Sequence, residues 1–141
     1  MLLSRIINTE TAGKERTRLS RSAVLALREL MTQSQADAQT RDLAAFVSFV
    51  LEELTQTIEP TVSAWEKRGY WIKADRFRLD WEWCEHSSAR LREAILADDW
   101  AQVAQEAARV AMKLNNVKLP AHHRLGTPWV GAWEKMEKRS S

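Results

Sequence analysis

Apolar side chains recur at alternating steps of four and three residues between positions 70 and 95. The row comprises Tyr70, Ala74, Phe77, Trp81, Cys84, Ser88, Leu91 and Ile95, in which only Ser88 is polar, and it is small. Charged residues fill most of the intervening positions, so one face of a helix would be apolar and the rest polar. The pattern predicts a single helix over 70–97, about 40 Å long. Because such a helix cannot bury its apolar face alone, other helices must pack along it.

Three further segments have the same helical spacing and predict helices over about 11–33, 40–68 and 99–115. Pro60 lies inside the second segment and removes one backbone hydrogen bond, so that helix should bend near residues 57–59. The apolar spacing continues past Pro60 to Trp65. This continuity favours one kinked helix over two separate helices, and Gly69 is the expected stop.

The fold class predicted from these segments is all-α, as a four-helix, mostly antiparallel bundle that forms a single domain over 1–141. Four glycines and three prolines are few for a chain of this length, which also favours a few long elements. A C-terminal segment over 117–135, with Trp129 and Trp133 facing the bundle, should pack across it. We expect residues 135–141 to be frayed. Residues 1–12 contain an apolar arm that we expect to lie on the bundle or on a second subunit.

Composition narrows the class of protein without naming a function. The chain has 141 residues, a net charge of +2 and one cysteine, Cys84, so an internal disulfide is impossible. A reducing, cytoplasmic location is the natural expectation. The longest apolar run, about 43–51, is too short to span a membrane.

The seven tryptophans all lie between positions 65 and 133 and provide the candidate ligand or partner surface. Trp81 lies on the apolar row of the third helix and is expected in the core. Trp71 and Trp83 lie off that row, so the C-terminal segment, another subunit or a ligand should cover them. Aromatic rings beside cations can stack on ligands and hold anions. The candidate surface comprises Trp65, Arg68, Trp71, Arg76, Trp83 and Trp129.

The second helix carries an additional apolar face formed by Phe46 and Phe49. A helix that is apolar on two sides is either central in a bundle or part of a subunit interface. We therefore assign Phe46 and Phe49 to a candidate oligomer interface.

No pattern of residues indicates catalysis, a metal or a cofactor. Glu82, Glu85 and His86 project away from the apolar row, so a solvated face explains them better than a metal site. Cys84 lies on the buried row, as an inert core thiol does. His122 and His123 are adjacent and would point in opposite directions on an extended segment. We predict no catalytic residue, no metal ligand and no cofactor.

The sequence therefore favours a non-catalytic interaction protein that forms a homo-oligomer or binds a protein partner. A second hypothesis is a small-molecule-binding bundle with an aromatic and cationic pocket. A third is weak nucleic-acid binding through Arg16, Arg18 and Arg21 of the first helix, which near-neutral net charge makes less favourable.

Overall fold

A computed structural model describes residues 9–141 of the chain, with side chains from Thr11 onward. This range is all-α and contains no strand, as predicted from the spacing of apolar residues. Its helices are α1 (Thr9–Met31), α2 (Ala38–Gln56), α3 (Ile58–Lys67), α4 (Trp71–Trp81), α5 (Trp83–Leu96), α6 (Trp100–Lys113) and α7 (Ala132–Ser140). The predicted apolar arm falls largely outside the described residues.

Helix α2 is the centre of the main core. It packs against α1, α5 and α7, while α6 packs mainly against α5 and touches α1 at few points. Apolar side chains line the α2 interior at helical spacing, which explains why neighbours cover it on several sides. Its fully buried members include Leu43, Val47, Leu51 and Leu54. The four-helix arrangement stays a prediction, because the contacts between α1 and α6 are sparse.

Small residues let α2 and α5 approach closely. The Ser48 hydroxyl donates to the Ser88 carbonyl at 2.9 Å, and the Ser88 hydroxyl donates to the Ser48 carbonyl at 2.9 Å. Both serines are buried. This reciprocal pair satisfies two hydroxyls that would otherwise destabilise the core.

The predicted second helix is divided at Thr57 into α2 and α3. Asp37 caps α2 by accepting a hydrogen bond from the Thr40 amide at 3.0 Å. Pro60 is the third residue of α3, in the first turn, where its missing N–H costs no helical hydrogen bond. The interruption lies in the predicted window, but the structure has two helices instead of one kinked helix.

The predicted third helix is likewise divided, at Glu82, into α4 and α5. Most of the apolar row is still buried or partly buried, from Ala74 through Cys84 and Leu91 to Ile95, whereas Tyr70 is exposed. Glu82 keeps right-handed helical dihedral angles (φ −62°, ψ −20°), so the spacing of the row survives the interruption. One continuous helix over 70–97 was therefore wrong, although the buried face was mostly right.

The C-terminal residues form a helix, which corrects the prediction that 135–141 are frayed. Gly131 begins α7 in the left-handed region (φ 88°) and has no side chain to cap it. Asp42 of α2 supplies the cap instead, accepting hydrogen bonds from the Trp133 amide at 2.9 Å and the Gly131 amide at 3.3 Å. Met136 is buried against the main core. Long-range contacts with α2 thus order a segment whose own sequence is mostly polar.

Candidate interaction surface

Residues 58–81 form a helical hairpin, α3–α4, with a small core of its own. That core contains three buried apolar residues, Ile58, Val62 and Ala74. Trp65 and Phe77 pack beside them in an edge-to-face pair with ring centroids 5.4 Å apart. Gly69 turns the chain at the tip with φ 82°, a conformation that favours glycine. The hairpin is thus a small packing unit beside the main core.

Two large apolar side chains on the outward side of α4, Ile72 and Leu79, are uncovered within the described residues, with the exposed Asp75 and Arg76 between them. Ala74 is the only buried residue of this helix. Ile72 and Leu79 are 75% and 66% exposed, and Trp71 is 60% exposed. Ile72 and Leu79 are seven residues apart, so they lie two turns apart on one side, opposite Ala74 and Phe77. Large apolar side chains in solvent are candidates for contact with another molecule, so Ile72 and Leu79 form a short stripe that the described residues leave open.

Charge along the α3–α4 hairpin differs between its two ends. The tip carries Lys67, Arg68, Lys73 and Arg76, whereas the base, where α4 meets α5, carries Asp80, Glu82 and Glu85. Arg78, between them, contacts Glu59, Glu66 and Asp75 at 3.6 to 3.9 Å. The open apolar stripe therefore lies between a basic end and an acidic end.

The structure brings only part of the predicted ligand or partner surface together. Trp65, Arg68, Trp71 and Arg76 lie on the hairpin, and the last three are exposed. Tyr70, Trp71, Lys73 and Arg76 line an open cleft of about 640 Å³ at the tip. Trp71 is therefore uncovered by the described part of the C-terminal segment.

Trp83 and Trp129 lie away from that tip. Trp83 stacks on Trp81 at the hairpin base, with ring centroids 6.5 Å apart and an interplanar angle of 20°. Trp129 is buried in the main core, next to the segment that Asp42 holds at the start of α2. Because Trp65 lies beyond the other end of α2, the stretch of helix from Asp42 to Gln56, roughly 21 Å long, separates the two regions. Among the described residues, Trp65 and Trp129 do not line one common pocket.

Phe46 and Phe49, the predicted oligomer interface, are partly buried against the main core. Phe49 lies beneath two cations of α7, with Lys135 Nζ at 4.8 Å and the Arg139 guanidinium at 5.2 Å from its ring centroid. Arg139 also pairs with Glu52 at 3.1 Å. Helix α7 thus covers part of the apolar face that suggested an interface, and the assignment to subunit contact stays a prediction.

Arg16 of α1 holds the hairpin against the rest of the molecule. Its guanidinium lies 4.6 Å from the Phe77 ring centroid and 5.7 Å from that of Trp81. It donates hydrogen bonds to the Thr57 carbonyl at 3.0 Å and the Thr57 hydroxyl at 3.1 Å. The sequence did not predict this role, because Arg16 resembles the other cations on a solvated face of α1. No local pattern distinguishes it from Arg18, which pairs with Glu15 at 2.6 Å.

Two buried titratable groups are structural. Glu106 of α6 is fully buried and accepts hydrogen bonds from Ser87 at 2.7 Å, Arg90 at 3.0 Å and Arg109 at 2.9 Å. Burial acts to raise the pKa of Glu106, but these donors outweigh it and hold the pKa below its ordinary value. Burial raises the pKa of Cys84 to about 12, so the thiol is neutral and a poor nucleophile near neutral pH.

Glu82, Glu85 and His86 are all exposed on the surface. In the part of the chain that the structure describes, no group of three or more His, Cys, Asp and Glu side chains is arranged to hold a metal ion. No helix within residues 9–141 combines the length and apolarity needed to cross a membrane.

Comparisons with protein-family models, curated proteins and solved structures find no match to this chain. The geometry of the described residues is therefore the basis for any functional conclusion.

Proposed function

We propose that this protein is a non-catalytic interaction module, built on a bundle of α1, α2, α5 and α6, that pairs with a second copy through the outward face of α4. The observation that supports the proposal is the open stripe of Ile72 and Leu79 on a helix with one buried residue. Transferring such side chains from water into an interface is favourable by about 1.5–3 kcal/mol each when burial is complete. A second copy would supply that burial.

Charge favours an antiparallel pairing of the two α4 helices. A two-fold axis near the middle of α4 would place Ile72 opposite the partner's Leu79, and the converse contact would follow by symmetry. The basic tip, with Arg68, would then lie beside the acidic base of the second copy, with the partner's Glu82. A parallel pairing would bring like charges together at both ends, which is unfavourable.

The size of the surface sets the expected strength of association. One 11-residue helix presents a small interface, at or below the roughly 1,200–2,000 Å² that stable complexes bury. We therefore expect a dimer that dissociates on dilution.

The first test replaces an apolar residue at the centre of the proposed contact. Ile72→Asp should abolish the concentration-dependent dimer in sedimentation velocity, because a carboxylate would be buried without a partner. Met112→Asp is the matched control, since Met112 on α6 is also 75% exposed but lies off α4. Equal dimerisation by Ile72→Asp and the wild type would overturn the proposal.

The second test reverses charge at the two ends. Arg68→Glu and Glu82→Arg should each weaken the dimer, because each places like charges together at two symmetric positions. The double variant restores opposite charges and should recover association. A double variant weaker than both single variants would contradict the antiparallel arrangement.

A small-molecule site is the second candidate, supported by the open cleft at the tip where Trp71 lies beside Lys73 and Arg76. It predicts a ligand-dependent change in Trp fluorescence that Trp71→Ala removes. Nucleic-acid binding through α1 has less support, because Arg16 turns inward and Arg18 is paired with Glu15. A cytoplasmic location stays a prediction.

A further inference from the structure

A second cleft, away from the outward face of α4, lies between α1, the hairpin base and the segment after α6. Its volume is about 380 Å³. Three cations line it, Arg16, Arg21 and Lys118, and no carboxylate does. The remaining lining residues are Thr17, Ser20, Trp81, Asn116 and Val117. The cleft therefore combines a concentration of positive charge with hydroxyl and amide groups.

Ser20 is one of the residues that line this cleft, and its unsatisfied hydroxyl is buried in the cleft wall. The residue is 4% exposed, and its Oγ is the only buried side-chain nitrogen or oxygen without a hydrogen-bond partner among the described residues. Serine in a helix usually donates to a carbonyl one turn back or faces solvent, and neither happens here. A buried hydroxyl without a partner destabilises the folded state, so an oxygen acceptor from a bound molecule would relieve it.

Arg16 carries a positive charge that the described residues do not neutralise. Its hydrogen bonds go to uncharged oxygens of Thr57 and Thr61, and its other neighbours are aromatic rings. The adjacent carboxylate, Glu15, is directed to Arg18. Burial without a counter-ion lowers the pKa of Arg16. A half-buried cation in this state is stabilised by an anion that enters the cleft.

We propose that this cleft binds a small phosphate-bearing molecule. Arginine suits phosphate because its planar fork donates two parallel hydrogen bonds, and Arg21 and Lys118 are exposed, with no acidic partner among residues 11–141. Phosphate offers three acceptor oxygens, enough for Ser20 and two cations together. Trp81 and Val117 provide an apolar wall for the organic part of the ligand. The volume lies at the lower end of the range for small-molecule sites.

The experiment uses inorganic phosphate and phenyl phosphate as probes, with acetate and benzoate as the carboxylate counterparts. Isothermal titration calorimetry on the full chain should detect both phosphate probes, with phenyl phosphate tighter because its ring contacts Trp81. Arg21→Gln should weaken phenyl phosphate at least tenfold. Arg28→Gln is the matched control, because Arg28 is an exposed arginine of α1 that does not line the cleft.

Ser20→Ala gives a readout that separates binding from folding. The variant removes an unsatisfied hydroxyl, so its melting temperature without ligand should equal or exceed that of the wild type. Its phosphate affinity should nevertheless fall several-fold. If Ser20→Ala fails to fold, Arg21→Gln on the surface still tests the site.

Three results would overturn the proposal. The first is no heat of binding with either phosphate probe, and the second is equal loss of affinity in Arg21→Gln and Arg28→Gln. The third is tighter binding of benzoate than of phenyl phosphate. The monomeric Ile72→Asp variant should bind phenyl phosphate normally, so failure of the self-association proposal leaves this one independently testable.

Discussion

The main core and the α3–α4 hairpin differ in how many apolar side chains they bury and how many they leave exposed. Among the described residues, the main core contains 23 buried apolar residues, which lie in α1, α2, α5, α6 and α7 and at Leu114 and Trp129. Its buried polar side chains have hydrogen-bond partners, such as Ser48 with Ser88 and Glu106 with Arg90, except for Ser20 among the described residues. The hairpin buries three apolar residues and leaves Trp71, Ile72 and Leu79 exposed within the described part of the chain. The hairpin therefore has the smaller core and, on α4, large apolar side chains that the described residues leave exposed.

The connections between the hairpin and the main core are short. The hairpin joins the main core through single residues between helices, Thr57 at one end and Glu82 at the other. Arg16 supplies much of the contact between it and α1. A unit with few buried contacts is expected to open at lower free energy than the surrounding core. We therefore expect the two regions to respond differently to substitution.

The largest effect is expected where the two regions meet. Trp81 packs against both the main core and the hairpin core. Trp81→Ala should lower the free energy of unfolding by about 3 kcal/mol, as expected for the loss of a large packed side chain. Urea denaturation measures it, with the exposed neighbour Glu82→Ala as control, for which a change within about 0.5 kcal/mol is expected. A loss under about 1 kcal/mol for Trp81→Ala would mean that the regions are not coupled through this ring.

A smaller effect is expected within the main core from Glu106→Gln. The change leaves Arg90 and Arg109 without their carboxylate, and should cost about 2 kcal/mol near neutral pH. Because the pKa of Glu106 is lowered on folding, its contribution is complete above the ordinary value of 4.5 and is lost as the pH falls through the folded-state pKa. The difference between wild type and Glu106→Gln should therefore shrink in acid. A difference that is constant across the titration would contradict this assignment.

Of the three substitutions, Arg16→Met should lower the free energy of unfolding least. Its effect should be confined to the hairpin. Methionine keeps an apolar chain against Phe77 but loses the charge and the hydrogen bonds to Thr57, for a cost of about 1 kcal/mol. Hydrogen–deuterium exchange should accelerate over residues 58–81 and stay unchanged over α2 and α5. Uniform acceleration along the chain would show that the hairpin does not open separately.

The sequence predicted the buried faces better than the ends of the helices. Ala74, Cys84, Leu91 and Ile95 follow a spacing that only a helix satisfies, so their burial was predictable. The interruption at Glu82 was not predictable, because no glycine or proline lies there and the helical spacing of apolar residues continues across it. The helical order of residues 135–140 in α7 was not predicted, because the cap of this helix comes from Asp42, 89 positions before Gly131.

The candidate surfaces were predictable only where exposure follows from helical spacing. Trp71 lies off the apolar row of 70–95, and we expected the C-terminal segment, another subunit or a ligand to cover it. It is exposed, so the described part of the C-terminal segment does not cover it. Trp83 lies off the same row, yet it is partly buried and stacks on Trp81, a contact that the helical spacing did not predict. The inward turn of Arg16 and the unsatisfied hydroxyl of Ser20 depend on distant segments, which local patterns do not contain.

We propose that a second copy covers the outward face of α4 in an antiparallel arrangement. Disulfide trapping tests this arrangement directly. Ile72→Cys and Leu79→Cys are prepared separately, mixed and oxidised, and the products are weighed by native mass spectrometry. The buried Cys84 thiol, with its pKa of about 12, should not compete. The antiparallel pairing predicts that the mixture yields a cross-linked heterodimer and that either variant alone yields little cross-linked dimer. Strong cross-linking of each variant with itself, or none in the mixture, would contradict it.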